Sequence, residues 1–391
     1  MNWSEEHSTI IAGLDLGTTK VCAVIAEQVA ERPPRIIGIG QHSSEGIQRG
    51  AIVDAEKTVR AIGEAVRQAE LMAGVEIDSV YAGISGEYIA SLNSTGMVAV
   101  GGEGGWIGAQ DRARVLAAAG VVKVPFDREV LHVLPQEFAV NGQRGILDPV
   151  GMYGVRLEAS VHVVTSSVAA VRNICHSILR AGVDVRGVVL GGLASSYAVL
   201  SEDERQMGVC LLDIGGGTTD VAVFVGKGLR HSGNVGLGGH NVTNDIGVGL
   251  RTTRAEAEQA KCAGAPSETV ALIVAARMEE ILALARKQVY TALPHAALGA
   301  GIVLTGGGAQ ITGAVALAER VFNMPVRLGE PSGFEGGAAE LAGLSYATVL
   351  GLLLYGMEQQ KEKNQTEAQG LVEDPFDSVF GRVKRWLQPR D

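Results

Sequence analysis

Apolar and polar positions follow two patterns along the chain, and each pattern predicts a different kind of secondary-structure element. The segment "DAEKTVRAIGEAVRQAELMAG" predicts a helix, because apolar residues recur along it at spacings of three and four. The residues on that face are Val59, Ile62, Val66 and Ala69. Asp54 can cap the start of this helix and Gly74 can end it. The continuous apolar runs "IIAGLDLG", "VCAVIAEQ" and "DSVYAGI" predict buried strands, so the chain begins as an α/β protein.

Residues 84–163 do not continue the α/β pattern that precedes them. Strand-like pieces such as "EYIASLNSTGMVAV" and "EVLHVLPQEFAV" surround one short helix near residues 109–119, and "GGEGG" at 101–105 predicts a loop. The α/β pattern then resumes with the helix "SVAAVRNICHSILRAG" and the strand "VDVRGVVLG". We therefore interpret residues 84–163 as a small α+β subdomain inserted into a larger domain.

An internal repeat predicts a second domain of the same design. The segment "GVCLLDIGGGTTDVAVFVG" at 208–226 has the plan of "IIAGLDLGTTKVCAVIAEQ" at 10–28: an apolar strand, an Asp, a Gly/Thr turn and a second apolar strand. The matching positions are Asp15 with Asp213, and Thr18-Thr19 with Thr218-Thr219. Two such hairpins far apart in the chain indicate two similar domains that face each other.

The two hairpins and a third glycine run have the chemistry of a polyphosphate site. A glycine-rich turn lets backbone N–H groups approach phosphate oxygens with no Cβ in the way, and threonine hydroxyls add donors. An Asp at the end of the first strand can hold a hydrated Mg²⁺. The glycines of "IVLTGGGAQITG" at 302–313 would let a flat base or ribose lie against backbone. The sequence has neither G-x-x-x-x-G-K-[ST] nor a G-x-G-x-x-G that opens a helix after a strand.

Composition narrows the class of protein. A chain of 391 residues exceeds the size at which one core usually keeps growing, so two or more domains are expected. The formal net charge of −10 argues against a nucleic-acid partner. Cys22, Cys175 and Cys210 lie in apolar runs and are predicted to be small buried side chains, and with Cys262 they have no metal-binding spacing. We find no signal peptide and no apolar run long enough to cross a bilayer, which predicts a cytoplasmic location.

The three-part pattern resembles the actin-like ATPase superfamily. The resemblance implies two duplicated ribonuclease-H-like domains around a nucleotide cleft, with ATP and Mg²⁺ as cofactors. Asp15 and Asp213 would then lie near Mg²⁺ and hold it through water. The residues implied at the phosphates are Gly17, Thr18, Thr19, Lys20, Gly215, Gly216, Gly217 and Thr218. Those implied at the nucleoside are Gly306, Gly307, Gly308, Glu258 and Lys261, although the last two also fit a solvated helix face.

Longer stretches resemble the FtsA family of bacterial division proteins. They include "GLDLGTTKVCAVIAE", "RQAELMAGVEIDSVYAGISG" and "VLHVLPQEFAVNGQRGILDPVGMYGVRLEASVHVV", and the resemblance covers most of residues 8–357. The third stretch is the most specific, because it lies in the subdomain that this family has and other actins lack. The resemblance implies an ATP-binding actin homologue that polymerises on the inner face of the cell membrane at the division site. It also implies that FtsZ, through its C-terminal peptide, and later division membrane proteins are partners.

The sequence departs from this family between Lys261 and the helix that begins near Ser267. Family members carry a longer segment with a strand pair there, in the small subdomain that receives the FtsZ peptide, whereas this chain has only "KCAGAPSETV". The usual peptide pocket is therefore predicted to be reduced. The stretch that matches the place of a water-orienting Gln or carboxylate offers only His162, Thr165, Ser166 and Ser167. We expect at most slow ATP hydrolysis.

The C-terminal segment differs from the rest of the chain. Residues 358–374 have almost no apolar side chains and predict a flexible linker. Large apolar residues then recur at spacings of three and four beside basic ones, which predicts an amphipathic membrane-targeting helix over 375–388 on an anionic lipid surface. The stripe is Phe376, Val379, Phe380, Val383, Trp386 and Leu387, flanked by Arg382, Lys384 and Arg385. A helix docked on the protein's own surface is the alternative.

These patterns divide the chain into domains and leave two other functions open. The first large subdomain takes residues 8–83, 164–198 and 340–357, with the insertion at 84–163. The second takes 199–241 and 300–339, with a reduced small subdomain at 242–299. The open alternatives are a small-molecule kinase of the same fold and a pilus-type membrane-assembly module. A kinase would need a catalytic base in the cleft, and the pilus-type class lacks the basic tail.

Overall fold

The computed structural model describes residues 8–29, 32–101, 103–264, 266–295, 297–336 and 343–368. Its strands are β1 (Ser8–Leu16), β2 (Lys20–Val29), β3 (Arg35–Ser43), β4 (Ile47–Gln48), β5 (Ala51–Ile52), β6 (Ser79–Ile84), β7 (Ile89–Ala99), β8 (Arg128–Val140), β9 (Gln143–Ile146), β10 (Arg156–Ser167), β11 (Asp184–Leu190), β12 (Val209–Ile214), β13 (Thr219–Val225), β14 (Gly228–Val235), β15 (Ile302–Thr305), β16 (Val326–Leu328) and β17 (Glu335–Gly336). Its helices are α1 (Ala55–Ala73), α2 (Ala109–Gly120), α3 (Val168–Arg180), α4 (Gly191–Val199), α5 (Glu202–Met207), α6 (Gly239–Leu250), α7 (Arg254–Cys262), α8 (Glu268–Ala292), α9 (Ala314–Phe322) and α10 (Ala347–Ala368).

Two mixed sheets share one strand order, which confirms the duplication predicted from the repeat. The first sheet runs β11-β6-β1-β2-β3-β17, and the second, read in the same direction, runs β16-β15-β12-β13-β14. In each, an antiparallel hairpin lies at the centre, β1–β2 or β12–β13, with parallel strands on one side and an antiparallel strand on the other. The last strand, β17, pairs with β3, so part of the segment 300–339 that we predicted in the second domain belongs to the first sheet.

The backbone ladders correct our alignment of the two hairpins. The opposed pairs are Asp15–Cys22 and Asp213–Asp220, and the turns are closed by hydrogen bonds from Gly17 N to Lys20 O (3.1 Å) and from Gly215 N to Thr218 O (2.8 Å). Lys20 therefore corresponds to Thr218, and Thr18-Thr19 corresponds to Gly216-Gly217. The predicted match of Thr18-Thr19 with Thr218-Thr219 is wrong, because it followed residue type and not the number of positions from the Asp.

Helices α4 and α10 form a double layer between the sheets. Helix α10 packs on β1, β2 and β6, α4 packs on β12 and β13, and the two helices pack on each other. Buried residues of both sheets and both helices make one apolar cluster, which includes Val24, Leu211 and Leu353. A Cβ at Gly351 of α10 would lie 1.8 Å from Ala194 O of α4, so only glycine allows the helices to approach this closely. The joint between the domains is therefore an apolar helix contact.

The outer faces of the sheets are covered by helices that form as their sequences predict. Helices α1 and α3 cover the first sheet, and α6, α8 and α9 cover the second. At the start of α1, Asp54 Oδ1 accepts from Lys57 N at 3.1 Å, and at its end Gly74 adopts a φ of 71°. Cys22, Cys175 and Cys210 are buried as predicted, whereas Cys262 is exposed.

The inserted subdomain is an antiparallel sheet, β7-β10-β8-β9, with α2 on one face. It follows β6 of the first domain in the chain, yet its buried polar contacts reach β14 of the second. Gln136 Nε2 donates to Asn93 Oδ1 (2.9 Å) and to Leu229 O of β14 (2.8 Å). The ring of His162 lies between Asn93 Oδ1 (2.7 Å) and Ser232 Oγ of β14 (2.9 Å). The inserted subdomain is therefore hydrogen-bonded to the second domain, although the chain enters it from the first.

Two segments bear on the predicted subdomain and tail. Between α6 and β15 the described residues form α7 and α8 and contain no strand, in line with the predicted reduction of the small subdomain. Helix α10 continues to Ala368, so the linker predicted over 358–374 is wrong for residues 358–368. Glu, Gln and Lys are good helix formers, and they extend a helix whose first half is already buried. The predicted membrane-targeting helix, 375–388, lies outside the described residues, and no described helix could span a membrane.

Candidate functional site

A cavity of about 450 Å³ lies between the two hairpins, a size typical of small-molecule sites. Its wall combines both turns, the third glycine run and α7. The predicted residues that line it are Asp15, Gly17, Thr18, Thr19, Lys20, Asp213, Gly215, Gly216, Thr218, Glu258, Lys261, Gly306, Gly307 and Gly308. Gly217 is the only predicted cleft residue that does not line the wall.

The start of α6 orients the second turn. Gly239 N donates to Gly215 O (2.9 Å), and His240 N donates to Gly216 O (2.7 Å). Because the C=O and N–H of one trans peptide point in opposite directions, the N–H groups of Gly216 and Gly217 point away from α6. Within the described part of the chain, neither N–H group has an acceptor. The second turn therefore presents two unpaired donors, as binding of an anion requires.

The two turns touch across the cleft. A Cβ at Gly216 would lie 2.2 Å from Thr19 Oγ1, and one at Gly217 would lie 2.7 Å from Thr18 Oγ1. Any larger residue at Gly216 or Gly217 would keep the turns apart. The glycines thus set how closely the domains approach where the site is formed.

Three buried carboxyl groups that line the cavity interact with one another. Burial and, after it, the charge of Asp213 raise the pKa of Asp15 to about 7, while Lys20 opposes the change. Burial also raises the pKa of Asp213, against hydrogen bonds from Ser195 Oγ (2.5 Å) and Thr348 Oγ1 (3.0 Å). Such a cluster attracts a cation, because each carboxylate destabilises the charge of the next.

The third carboxyl, Asp220, was missed by the sequence analysis. Burial and then Asp213 raise its pKa to about 7, although Ser85 Oγ and Asn234 Nδ2 donate to it. Ser85 directly follows β6 of the first sheet, so this hydrogen bond also links the first sheet to the second hairpin. The signal that could have identified it is the strand pairing of the second hairpin. Asp220 lies directly opposite Asp213, at the position where the first hairpin has Cys22.

Lys20 lines the cavity, but its ammonium group lies on an aromatic ring. Lys20 Nζ is 3.4 Å from the centre of the Tyr346 ring, and the Tyr346 hydroxyl donates to Gln41 Oε1 at 3.1 Å. Burial lowers the pKa of Lys20, while Cys22 and Asp15 oppose that change. The cation is thus held beside the cluster of carboxyl groups by a cation–π contact.

In the third glycine run, Gly306–Gly308, two glycines are needed for close packing and one has open space beside its backbone. A Cβ at Gly306 would lie 2.3 Å from Asp213 Oδ1, and one at Gly308 would lie 2.4 Å from Ile214 Cγ2. At Gly307 the nearest atom would be Ser345 Cβ, at 3.9 Å. Gly306 and Gly308 therefore let the turn pack on the end of β12, and Gly307 leaves open backbone for a ligand.

Glu258 and Lys261 form a pair on the opposite wall. Lys261 Nζ lies 2.8 Å from Glu258 and 3.0 Å from Thr243 Oγ1, and its side chain is only 10% exposed. Burial acts to raise the pKa of Glu258, but hydrogen bonds from Lys261 and Thr243 outweigh it and the pKa is lowered. A solvated helix face is therefore wrong for Lys261.

The donor set limits how a metal ion could be held. Among the described residues no group of three or more His, Cys, Asp and Glu side chains could hold one directly. Two buried carboxyls with raised pKa values still fit a hydrated Mg²⁺, which keeps several waters and uses one or two carboxylates.

The duplicated sheets, the paired hairpins and the shared cavity define a protein of the actin-like ATPase fold with an inserted α+β subdomain. Solved structures agree in fold. The PilM-PilN type IV pilus biogenesis complex matches with a TM-score of 0.64 at 17% identity, over 88% of this chain and 98% of that one. MreB 5 of Spiroplasma citri bound to AMPPNP matches with a TM-score of 0.52 at 12% identity, over 91% and 98%.

Sequence comparison narrows the class to one family. A family model for the SHS2 domain inserted in FtsA matches residues 86–165, and one for cell division protein FtsA matches residues 210–351. Cell division protein FtsA of Pseudomonas aeruginosa (strain PAO1) is 40% identical over 414 residues, covering 98% of this chain and 99% of that protein. That of Escherichia coli (strain K12) is 38% identical, covering 97% of each. The chain belongs to the FtsA family of cell division proteins, which sets aside the kinase and pilus-type alternatives.

The same comparison bears on the shortened subdomain. The alignment with the Pseudomonas aeruginosa protein spans 414 residues, whereas this chain has 391, so at least 23 aligned positions have no residue here. The segment "KCAGAPSETV" between α7 and α8 is where the sequence predicts the missing residues.

Proposed function

We propose that this chain is an ATP-binding bacterial actin homologue. It polymerises on the inner face of the cytoplasmic membrane at the division site, tethers the FtsZ ring and recruits later division membrane proteins. The observation that carries the proposal is the cavity between two hairpins, one from each domain, with an unpaired N–H group at Gly216 in its wall and another at Gly217 in the same turn. A ligand held by both hairpins stabilises the closed arrangement of the domains, and a fixed domain arrangement is what a filament contact requires.

The chemistry of the wall supports a place for each part of the nucleotide in this proposal. The phosphates lie between the two turns, against Thr18, Thr19 and the N–H groups of the second turn. The nucleoside lies between the open backbone of Gly307 and the Glu258–Lys261 pair. Asp15 and Asp213 would hold Mg²⁺ through water, and the ion would offset their charges. Binding of AMPPNP by MreB 5 of Spiroplasma citri, which shares the fold, supports a nucleotide in this cleft.

Hydrolysis of ATP is expected to be slower than ~1 per second, a low rate for an enzyme. His162 bonds Asn93 and Ser232, and Thr165 bonds Arg128, so neither side chain orients water in the cavity. The carboxyl of Asp220 also lines the cavity, and its oxygens already accept from Ser85 and Asn234. Release of inorganic phosphate under saturating Mg·ATP measures the rate. Turnover well above this value would contradict the expectation, and its loss in Asp220→Asn would then assign the water-orienting role to that carboxyl.

Membrane attachment is proposed to depend on the C-terminal helix, 375–388. Complete burial of one apolar side chain stabilises by roughly 1.5–3 kcal/mol. A helix in the membrane interface buries its six apolar side chains only in part, so each contributes less than this. Basic residues add about 1 kcal/mol each near anionic lipid, and ordering the chain costs about 1 kcal/mol or more per residue. A single tail therefore binds weakly, and a filament that presents many tails binds by avidity.

The FtsZ C-terminal peptide is proposed as a partner of the reduced small subdomain. Without the strand pair, the surface left for it is helical and includes the exposed Val248 of α6 and Leu272 of α8. Arg277, a basic candidate for an acidic peptide, is already paired with Asp245 (2.5 Å) and Glu280 (2.6 Å). We expect weaker binding than in relatives with the complete subdomain.

One reconstitution tests the proposal as a whole. The full chain is mixed with anionic liposomes, Mg·ATP and FtsZ, with and without the FtsZ C-terminal peptide, and the liposomes are examined by electron microscopy and sedimentation. The expected result is filaments on lipid that recruit FtsZ only when the peptide is intact. Absence of filaments would overturn the assembly role, and filaments without FtsZ would overturn the tethering role alone.

A further inference from the structure

His240 is a cavity residue that neither hairpin motif predicts. It follows the first residue of α6 and lines the cavity from the second domain. Its ring Nε2 lies 3.2 Å from Thr19 Oγ1 of the first hairpin, and its Nδ1 lies 3.2 Å from Arg254 Nη2 at the start of α7. One imidazole ring therefore joins the two domains across the cleft.

The partners of this ring determine which nitrogen carries the proton. A guanidinium group donates hydrogen bonds and never accepts them, so Nδ1 accepts from Arg254. The proton of the neutral ring is then on Nε2, which donates to Thr19 Oγ1. Burial lowers the pKa of His240, Arg254 and Lys261 lower it further, and only Glu258 opposes them. His240 is thus a neutral donor whose N–H is directed at the first hairpin.

We propose that His240 contacts a phosphate of the bound nucleotide and that Arg254 is its positioning residue. The proposal rests on the nucleotide function argued above. Thr19 lies against both Gly216 and His240, so a phosphate that enters between the turns separates Thr19 from the ring. The Nε2–H group then donates to an anionic phosphate oxygen instead of the neutral Thr19 hydroxyl. A hydrogen bond to a charged oxygen is shorter and stronger.

The first test compares ligands with and without phosphate. In calorimetric titration of the full chain, His240→Ala is expected to lower the affinity for Mg·ATP about ten-fold, the effect of one hydrogen bond to a charged group. The affinity for adenosine is expected to stay unchanged. His240→Asn, which keeps an N–H donor, is expected to recover part of the loss. Thermal unfolding of each variant shows that the comparison is made on folded protein.

Each outcome separates this proposal from the one on which it rests. If the unaltered chain binds no Mg·ATP, both proposals fall. If it binds Mg·ATP and His240→Ala binds it equally well, only the role of His240 falls. Equal losses of ATP and adenosine affinity in His240→Ala would mean a merely structural role and would also overturn the contact.

A second test uses the positioning residue. In Arg254→Leu, Nδ1 loses its donor and the ring loses a neighbouring cation, so the pKa of His240 rises. The groups of α7 that then face the ring are Glu258 and Lys261, and the first hairpin faces it with the Thr19 hydroxyl. ATP affinity of this variant is expected to increase more steeply than that of the unaltered chain as pH falls from about 8 to about 6. The double variant with His240→Asn is expected to lose this extra pH dependence, and its persistence there would contradict the role of Arg254.

Discussion

Gly216→Val is expected to abolish measurable Mg·ATP binding by a chain that still folds. The new Cβ would lie 2.2 Å from Thr19 Oγ1, and the two methyl groups would occupy the space between the turns. The loss should be at least about 100-fold, because two N–H contacts to charged oxygens are removed, each worth about 1.5–3 kcal/mol. The φ of Gly216 lies outside the left-handed region, so valine does not strain the backbone.

Folding survives because the clash lies between the domains and not inside a core. The turns can separate by a small opening of the cleft, whereas the sheets and the α4–α10 layer are unchanged. Calorimetric titration with Mg·ATP measures the loss, and circular dichroism on heating reports the fold. Gly63→Val in α1 is the matched control, since no heavy atom other than those of its chain neighbours and the nearby backbone of its own helix lies within 4 Å of its Cβ position. Normal ATP affinity in folded Gly216→Val would exclude a phosphate site between the hairpins.

Trp386→Glu is expected to remove nearly all of the chain from sedimented anionic liposomes in the presence of Mg·ATP. The substitution takes the largest apolar side chain out of the predicted stripe and adds a negative charge beside anionic lipid. A single tail binds weakly, so a loss of several-fold per tail is multiplied along a filament. The measured quantity is the fraction of protein in the pellet.

The chain offers a matched control for this substitution on the inserted subdomain. Trp106 is 58% exposed and packs edge-to-face on Tyr153, at 5.8 Å between ring centres. Trp106→Glu makes the same chemical change on the folded body and is expected to leave sedimentation unchanged. If Trp386→Glu sediments like the unaltered chain, or if both variants fail equally, the C-terminal helix is not the anchor.

The parts of the fold that were predictable from sequence depend on near neighbours in the chain. Helix α1 follows from its apolar spacing, its Asp54 cap and the glycine that ends it. The hairpins follow from an apolar strand, an Asp and a glycine turn, and their repetition predicts the second domain. In each case the deciding interactions join residues a few positions apart.

The parts that were missed depend on which distant elements meet. Asp220 receives a hydrogen bond from Ser85, 135 positions away, and His240 meets Thr19, 221 positions away. Neither partner can be identified from local spacing. The sequence of residues 358–368 predicts a linker because it has almost no apolar side chains, although these residues continue a helix that is already anchored. Polar composition distinguishes buried from exposed chain better than it distinguishes helix from coil.

The inserted subdomain is joined to the first large domain by the chain and by the hydrogen bond from Leu190 N to His132 Nε2, and to the second by the hydrogen bonds of Gln136 and His162. When the large domains rotate about the α4–α10 layer, Gln136 and His162 either lose their partners on β14 or carry the subdomain with them. Loss would leave buried polar atoms unpaired, at about 1–3 kcal/mol each. Movement with β14 would instead break the buried hydrogen bond from Leu190 N of β11 to His132 Nε2 of β8 (3.1 Å), which joins the subdomain to the first sheet. The subdomain thus couples the two large domains, because a rotation between them has to break buried hydrogen bonds on one of its two sides.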